Sequence, residues 1–173
     1  VDYSVWNPET DPLIAEPYNA KSLAPKEENK IALMKRVGLP YKKGTPVFGL
    51  ISRLVPHKGH ELLIEALPEL LKLDAQFILL GTGDKNIQAA FAAARKEFDQ
   101  QFSATFGFNE KLAHLIEAGC DAYLMPSLYE PCGLNQMYSL KYGTVPVVRE
   151  TGGLADTVEN FTSKTGTGNG ITF

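Results

Sequence analysis

The sequence predicts an α/β fold, a doubly wound, Rossmann-like parallel sheet, and three observations point to it. Six short apolar runs between Pro46 and Phe173 are separated by helical patterns. The runs are nearly continuous in apolar residues, as strands buried on both faces read, and lack the polar alternation of a half-exposed sheet. The intervening helical segments carry apolar residues at one-sided spacing, which is what a helix laid on a sheet requires.

Taken in order, the first twenty residues place Pro8, Pro12 and Pro17 among acidic and polar neighbours, keep no period, and read as an extended connector. KEENKIALMKRVGL, Lys26 to Leu39, has acids in its first turn, Ile31 and Met34 on one face and Gly38 as a stop, so it reads as a helix. After the turn YKKGTP comes the strand PVFGLIS, then a helix with Leu63, Ala66, Leu67, Leu70 and Leu71 on one face. Pro68 lies inside that helix, lacks an N–H and collides with the carbonyl of Ile64, so a kink or break is expected there. QFILLGTG is the second strand, and Ile87, Ala90, Phe91, Ala94 and Phe98 mark the helix after it. SATFGF, DAYLMPS and VPVVRE follow as strands with helices between them, and a shorter helix leads to GITF. Pro146 in VPVV cannot feed a ladder bond and belongs at a strand start or edge. The organisation is then a linker over 1–25 and one domain over 26–173.

A chain of 173 residues that is 44% hydrophobic can bury one substantial core. Its net charge of -3 argues against nucleic acid or an anionic membrane as partner, so any anion site must be local. Cys120 and Cys132 form neither a C-x-x-C pair nor a disulfide framework, which fits a reducing, cytoplasmic setting. No run approaches the roughly 20 apolar residues of a membrane span, and VDYSVWNPETD lacks the regions of a signal peptide. A start at Val1 and an end on an open strand read as a piece of something longer.

The chemistry concentrates at strand ends. Arg53 and Lys58 sit in the loop after the first strand, at the sheet edge where open α/β folds bind ligands. The Arg53 fork clamps phosphate oxygens and Lys58 supplies a point charge; the plainer alternative pairs them with Glu61 or Glu65. GTGD, Gly81 to Asp84, permits close backbone approach or makes a tight turn, and the first crossover carries no G-x-G-x-x-G. In SLYEPCGLNQ, Glu130 precedes a turn that opens a helix, so the N–H groups of Gly133, Leu134 and Asn135 are placed for an anion. Glu130 itself is suited to a sugar hydroxyl or to orienting a cation. His57, His60 and His114 lack metal-ligand spacing; only His57 falls in the candidate site, as a hydrogen-bond donor, and the others read as surface or capping residues. Cys132 reads as a small residue in a tight turn. RETGGLADTV lines the same edge or is a plain left-handed turn.

Together, VDYSVWNPETD, ENKIALMKRVGL, ISRLVPHKG, LLGTGD, GFNE and PSLYEPCGLNQMYSLKYGTVPVVRETGGLADTV resemble the C-terminal catalytic half of bacterial and plant starch/glycogen synthases over nearly the whole chain. The resemblance implies one half of a two-domain retaining glycosyltransferase. It would transfer glucose from ADP-glucose or UDP-glucose to an α-1,4-glucan, with no metal or other cofactor. By motif, Arg53 and Lys58 would hold the distal phosphate and Glu130 the transferred glucose. Cys132, Gly133, Leu134 and Asn135 would cradle glucose and phosphate, Gly107 and Phe108 would lie near the base, and Ser127 near the nucleotide. Phe108 stands where the family often has tyrosine, and Asn135 where it often has threonine. Tyr138 occupies the position eight after Glu130 at which many related transferases carry a second glutamate. The acceptor would reach the enzyme through an N-terminal domain that this sequence lacks, so the piece alone is expected to bind nucleotide weakly and catalyse nothing. The rival readings are a transferase using another sugar nucleotide, and a non-catalytic nucleotide-binding module.

Overall fold

The computed structural model describes residues 1–173. Helix α1 (Lys26–Val37) opens with Glu27 and Glu28 and closes with Lys35 and Arg36, charges that oppose the helix dipole. Gly38 ends it in the left-handed region at φ 75°, its N–H donating to the Met34 carbonyl. Strand β1 (Val47–Leu54) leads through a short 3-10 turn (Pro56–Lys58) into α2 (His60–Leu70). That helix does not break at Pro68: it continues to Leu70 and then tightens into a 3-10 turn, Leu71–Leu73. Two helical residues follow Pro68, so the proline falls in the last turn of α2, next to the 3-10 turn.

Beyond it lie β2 (Gln76–Gly83), α3 (Lys85–Glu97), β3 (Phe102–Phe106), α4 (Glu110–Gly119) and β4 (Ala122–Met125). Then come α5 (Asn135–Lys141), β5 (Val145–Val148), α6 (Gly152–Thr157) and β6 (Ile171–Thr172). Asp84 of the GTGD turn caps α3 by accepting the N–H groups of Asn86 and Ile87, and Asn109 caps α4 through Leu112.

All six strands are parallel, in the order β3-β2-β1-β4-β5-β6. On one face α2 and α3 bury Leu63, Leu67, Ile87 and Phe91 against Leu50, Phe77, Leu79 and Phe102. On the other, α1 and α4 bury Leu33, Met34, Leu112 and Ile116 against Val47, Ile78, Leu80 and Tyr123. Pro146 sits second in β5, before the pairing with β6 begins at Val147, which spares the sheet a missing donor.

The N-terminal segment is not extended. It folds back in turns and packs on α4 and α5. Trp6 stacks between His114 (3.8 Å between ring centroids) and Tyr138 (4.2 Å). The buried Asp11 carboxylate accepts from the Tyr142 hydroxyl at 2.6 Å and pairs with His114 Nδ1 at 2.7 Å. Tyr18 donates to the Tyr142 carbonyl, and Asn29 of α1 receives the amides of Ala15 and Glu16. His114 is therefore neither a surface nor a capping residue: the turns bring Asp11 and Trp6 onto it and bury it.

A polar cluster lies beneath this segment. The Lys26 ammonium donates to the carbonyls of Glu117, Ala118 and Tyr142 and to Thr144 Oγ1, and Glu117 accepts from Ser139. Burial pushes the Glu117 carboxyl up to about 8 and the Lys26 ammonium down to about 8.

Candidate functional site

The chain runs from β1 outward to β3, then returns to β4 on the other side of β1. The strand order therefore reverses between β1 and β4, and at such a point the loops leaving the carboxyl ends of the two strands turn apart and leave a crevice. A cavity of about 180 Å³ occupies it. Arg53 and Lys58 reach it from the β1–α2 side; Ser127, Glu130, Gly133, Leu134 and Asn135 reach it from the β4–α5 side. A second cavity of about 260 Å³ shares Ile51, Ser52, Arg53 and Asn135 with the first and continues to Thr82, Gly107 and Phe108. The Phe108 ring stands at this rim 91% exposed, free to be covered by a flat partner.

Lys58 pairs with Glu130, not with Glu61 or Glu65. Ser127 Oγ donates to the same Glu130 oxygen at 3.3 Å, and both Ser127 and Glu130 are buried. The loops carrying these groups are clamped together: Leu128 N–H donates to the His57 carbonyl at 2.9 Å, and a Cβ on Gly59 would meet the Pro126 carbonyl oxygen at 1.9 Å. Gly59 also lies at φ 70°, so glycine is required here twice over.

Behind the Glu130 turn, Gly153 N–H donates to the Glu130 carbonyl at 2.9 Å. A Cβ on Gly153 would come within 2.1 Å of the Cys132 carbonyl oxygen. The pair Gly152-Gly153 is thus a close-packed buttress for the turn and does not itself line the cavity. Gln136 completes the support by donating to the Cys132 and Gly133 carbonyls and to Thr157 Oγ1.

Of the residues expected at the site, Arg53, Lys58, Glu130, Ser127, Gly133, Leu134 and Asn135 share the first cavity, and Gly107 and Phe108 share the second. Cys132 is exposed outside both, contributing its carbonyl to the turn. His57 is exposed and acts through its main chain; the imidazole against the cavity is that of His60, fully buried, with Nε2 at 2.9 Å from the Arg53 carbonyl and Nδ1 unpartnered. Burial holds the His60 imidazole below its usual range. Ser52, His60 and Thr82 also line these cavities and were not legible as site residues: Ser52 and Thr82 owe their place to how far β1 and β2 extend, and His60 to the turn that opens α2. No three His, Cys, Asp or Glu side chains come together to hold a metal ion, and no helix is long and apolar enough to cross a membrane.

The family profile described as "Glycosyl transferases group 1" matches residues 34–171. Glycogen synthase 1 of Geobacter metallireducens is 50% identical over all 173 residues, which make up 34% of that protein. Glycogen synthase of Bacillus anthracis is 47% identical over the same span, 36% of its length. Among solved structures, the catalytic domain of starch synthase IV from Arabidopsis thaliana, bound to ADP and acarbose, matches the whole chain and 36% of its own with a TM-score of 0.93 and 40% identity. The C-terminal domain of a glycosyl transferase group 1 family protein from Francisella tularensis, at 15% identity and a TM-score of 0.67, shares the fold. The chain thus spans about a third of the length of these synthase relatives. With its sheet order, its crevice at the strand reversal and a profile match over most of its length, the chain belongs to the glycosyl transferases group 1 family.

Proposed function

We propose that the chain is the donor-binding part of a cytoplasmic glycogen or starch synthase, which passes glucose from ADP-glucose to the non-reducing end of an α-1,4-glucan with retention of configuration. The observation that carries this reading is the convergence of Arg53, Lys58 and Glu130 on one crevice from its two sides, each side supplied by a separate crossover. A sugar diphosphate presents a hydroxyl-rich ring and a leaving group whose negative charge grows as the glycosidic bond breaks. Two cations aimed at that charge stabilise the transition state more than the ground state.

The Glu130 carboxylate already holds Lys58, so an arriving diphosphate would draw the ammonium toward itself and free carboxylate lone pairs for a glucose hydroxyl. Arg53, which lines both cavities, would hold the phosphates between the sugar, in the first, and the base, against Phe108 and Gly107 in the second. The N–H groups of Gly133, Leu134 and Asn135 would supply further donors to the sugar and phosphate. Retention would follow if the departing phosphate takes the proton of the incoming hydroxyl on the same face of the sugar. Residues 1–25 would link this domain to an acceptor-binding one.

The test is glucose incorporation into glycogen by a full-length protein carrying this chain, with ADP-glucose and UDP-glucose offered separately. Incorporation from ADP-glucose that Arg53→Ala abolishes supports the reading. Failure with both donors, or undiminished transfer by Arg53→Ala, overturns it. Titration of ADP, UDP and NAD separates a synthase, which prefers ADP, from a transferase of another sugar nucleotide and from a non-catalytic module.

A further inference from the structure

The crevice owes its opening to an early end of strand pairing. Strand β1 pairs with β2 along all eight residues, Val47 to Leu54, but with β4 at only two positions, Phe48↔Ala122 and Gly49↔Tyr123. Beyond Gly49 the two strands have no ladder between them, although β1 continues to Leu54 and β4 to Met125. The main chain of Ile51 faces this gap, and an amide and carbonyl buried there without partners would cost stability.

A single side chain fills the vacancy. The Tyr123 phenol, fully buried, accepts the Ile51 N–H at 2.9 Å and lies 2.9 Å from the Ile51 carbonyl as donor. The same oxygen receives Asn135 Nδ2, which also reaches the Ile51 carbonyl at 3.3 Å. One hydroxyl therefore ties β1, at Ile51 two residues before Arg53, to the first residue of α5. Those are the two sides of the crevice.

We infer that Tyr123 is a positioning residue that sets the width of the donor crevice, by standing in for the missing β1–β4 ladder and fixing Arg53 and Asn135 at one separation. The inference rests on the donor-binding reading above. Tyr123 touches no substrate in this scheme; it acts through Ile51 and Asn135. A phenylalanine would keep the ring in its place among Ile78, Leu80 and Ile116 while removing the three-way bond.

The test compares unmodified full-length protein, Tyr123→Phe and Ile87→Val, a core change on the opposite face of the sheet that lines neither cavity and packs in a cluster without Tyr123. Titration with ADP should show roughly tenfold weaker binding for Tyr123→Phe, the equivalent of one buried hydrogen bond. Ile87→Val, with a comparable fall in Tm, should bind as the unmodified protein does. Hydrogen exchange without nucleotide should show the Ile51 amide exchanging at least about tenfold faster in Tyr123→Phe, with the β1–β2 amides unchanged. Equal ADP affinity in all three proteins overturns the inference while leaving the donor-binding reading intact. Equal loss in Ile87→Val and Tyr123→Phe also overturns it, by making the effect one of general stability. An unmodified protein that binds no ADP overturns the donor-binding reading, and this inference with it.

Discussion

Lys58 and Glu130 form an ion pair across the mouth of the crevice, joining the loop after β1 to the turn before α5 although 72 residues separate them in sequence. Their side chains are only 18% and 10% exposed, so the pair is largely desolvated, and each group is the other's principal charge partner. Removing one member of such a pair leaves the other buried without compensation, which costs more than the pair itself contributes. Arg53 differs: it is exposed and takes part in no ion pair.

The two cations should therefore separate in mutagenesis. Arg53→Ala is expected to leave unfolding free energy within about 0.5 kcal/mol of the parent. Lys58→Ala should lose about 1–3 kcal/mol, much of it restored in Lys58→Ala/Glu130→Gln. Urea denaturation of these variants together with Glu130→Gln alone measures this coupling. Equal losses for Arg53→Ala and Lys58→Ala would show that the pair is not held in solution.

The buttress behind the turn makes a second expectation. Gly153→Ala would drive a methyl into the Cys132 carbonyl, 2.1 Å from where its Cβ must sit, and the turn carrying Glu130 has to move. A Tm drop corresponding to about 1–3 kcal/mol is expected, with weakened ADP binding beyond that of a control of equal Tm. Unchanged affinity would mean that the turn is positioned without this contact.

Glu117 gives the fold a pH dependence whose sign follows from its raised carboxyl. The folded protein holds the proton up to about 8, whereas an exposed carboxyl releases it near the usual 4.5. Stability is complete below the lower value and is lost as pH rises toward the upper one, by as much as about 1.4 kcal/mol per pH unit inside that window. Chemical denaturation at pH 5 and pH 7.5 should show the loss, and Glu117→Gln should flatten it. A parent protein equally stable at both values would exclude this contribution.

Removal of residues 1–25 should destabilise the domain rather than merely shorten it. Trp6 would leave the stack between His114 and Tyr138, and the Tyr142 hydroxyl and His114 would lose Asp11. Loss of several kcal/mol, on the order of a large aromatic truncation plus a buried polar group, is expected in thermal unfolding. Trp6 is the sole tryptophan, so its emission should change on unfolding of the intact chain and report this docking directly. A truncated chain with the parent Tm would return the segment to the status of a connector.

Much of this architecture was legible in one dimension. Continuous apolar runs such as QFILL, set between helical patterns, read as strands covered on both faces, and α2 and α3 announce their buried sides by spacing. Gly38 marks the end of α1 by local backbone chemistry, whereas the capping role of Asp84 emerged only in the structure. Arg53, Lys58 and Glu130 were visible because the ends of parallel strands are where such folds bind ligands.

The sequence by itself determined the sheet, its helices and the residues gathered at its carboxyl edge, since these follow from periodicity and from groups a few positions apart. Only the tertiary structure decided which groups meet: Lys58 with Glu130 and not Glu61, His60 and not His57 against the cavity, Trp6 and Asp11 folded onto His114, and Tyr123 in place of a ladder. Each of these depends on where strands stop pairing and how loops from distant crossovers abut, and local periodicity carries no record of either.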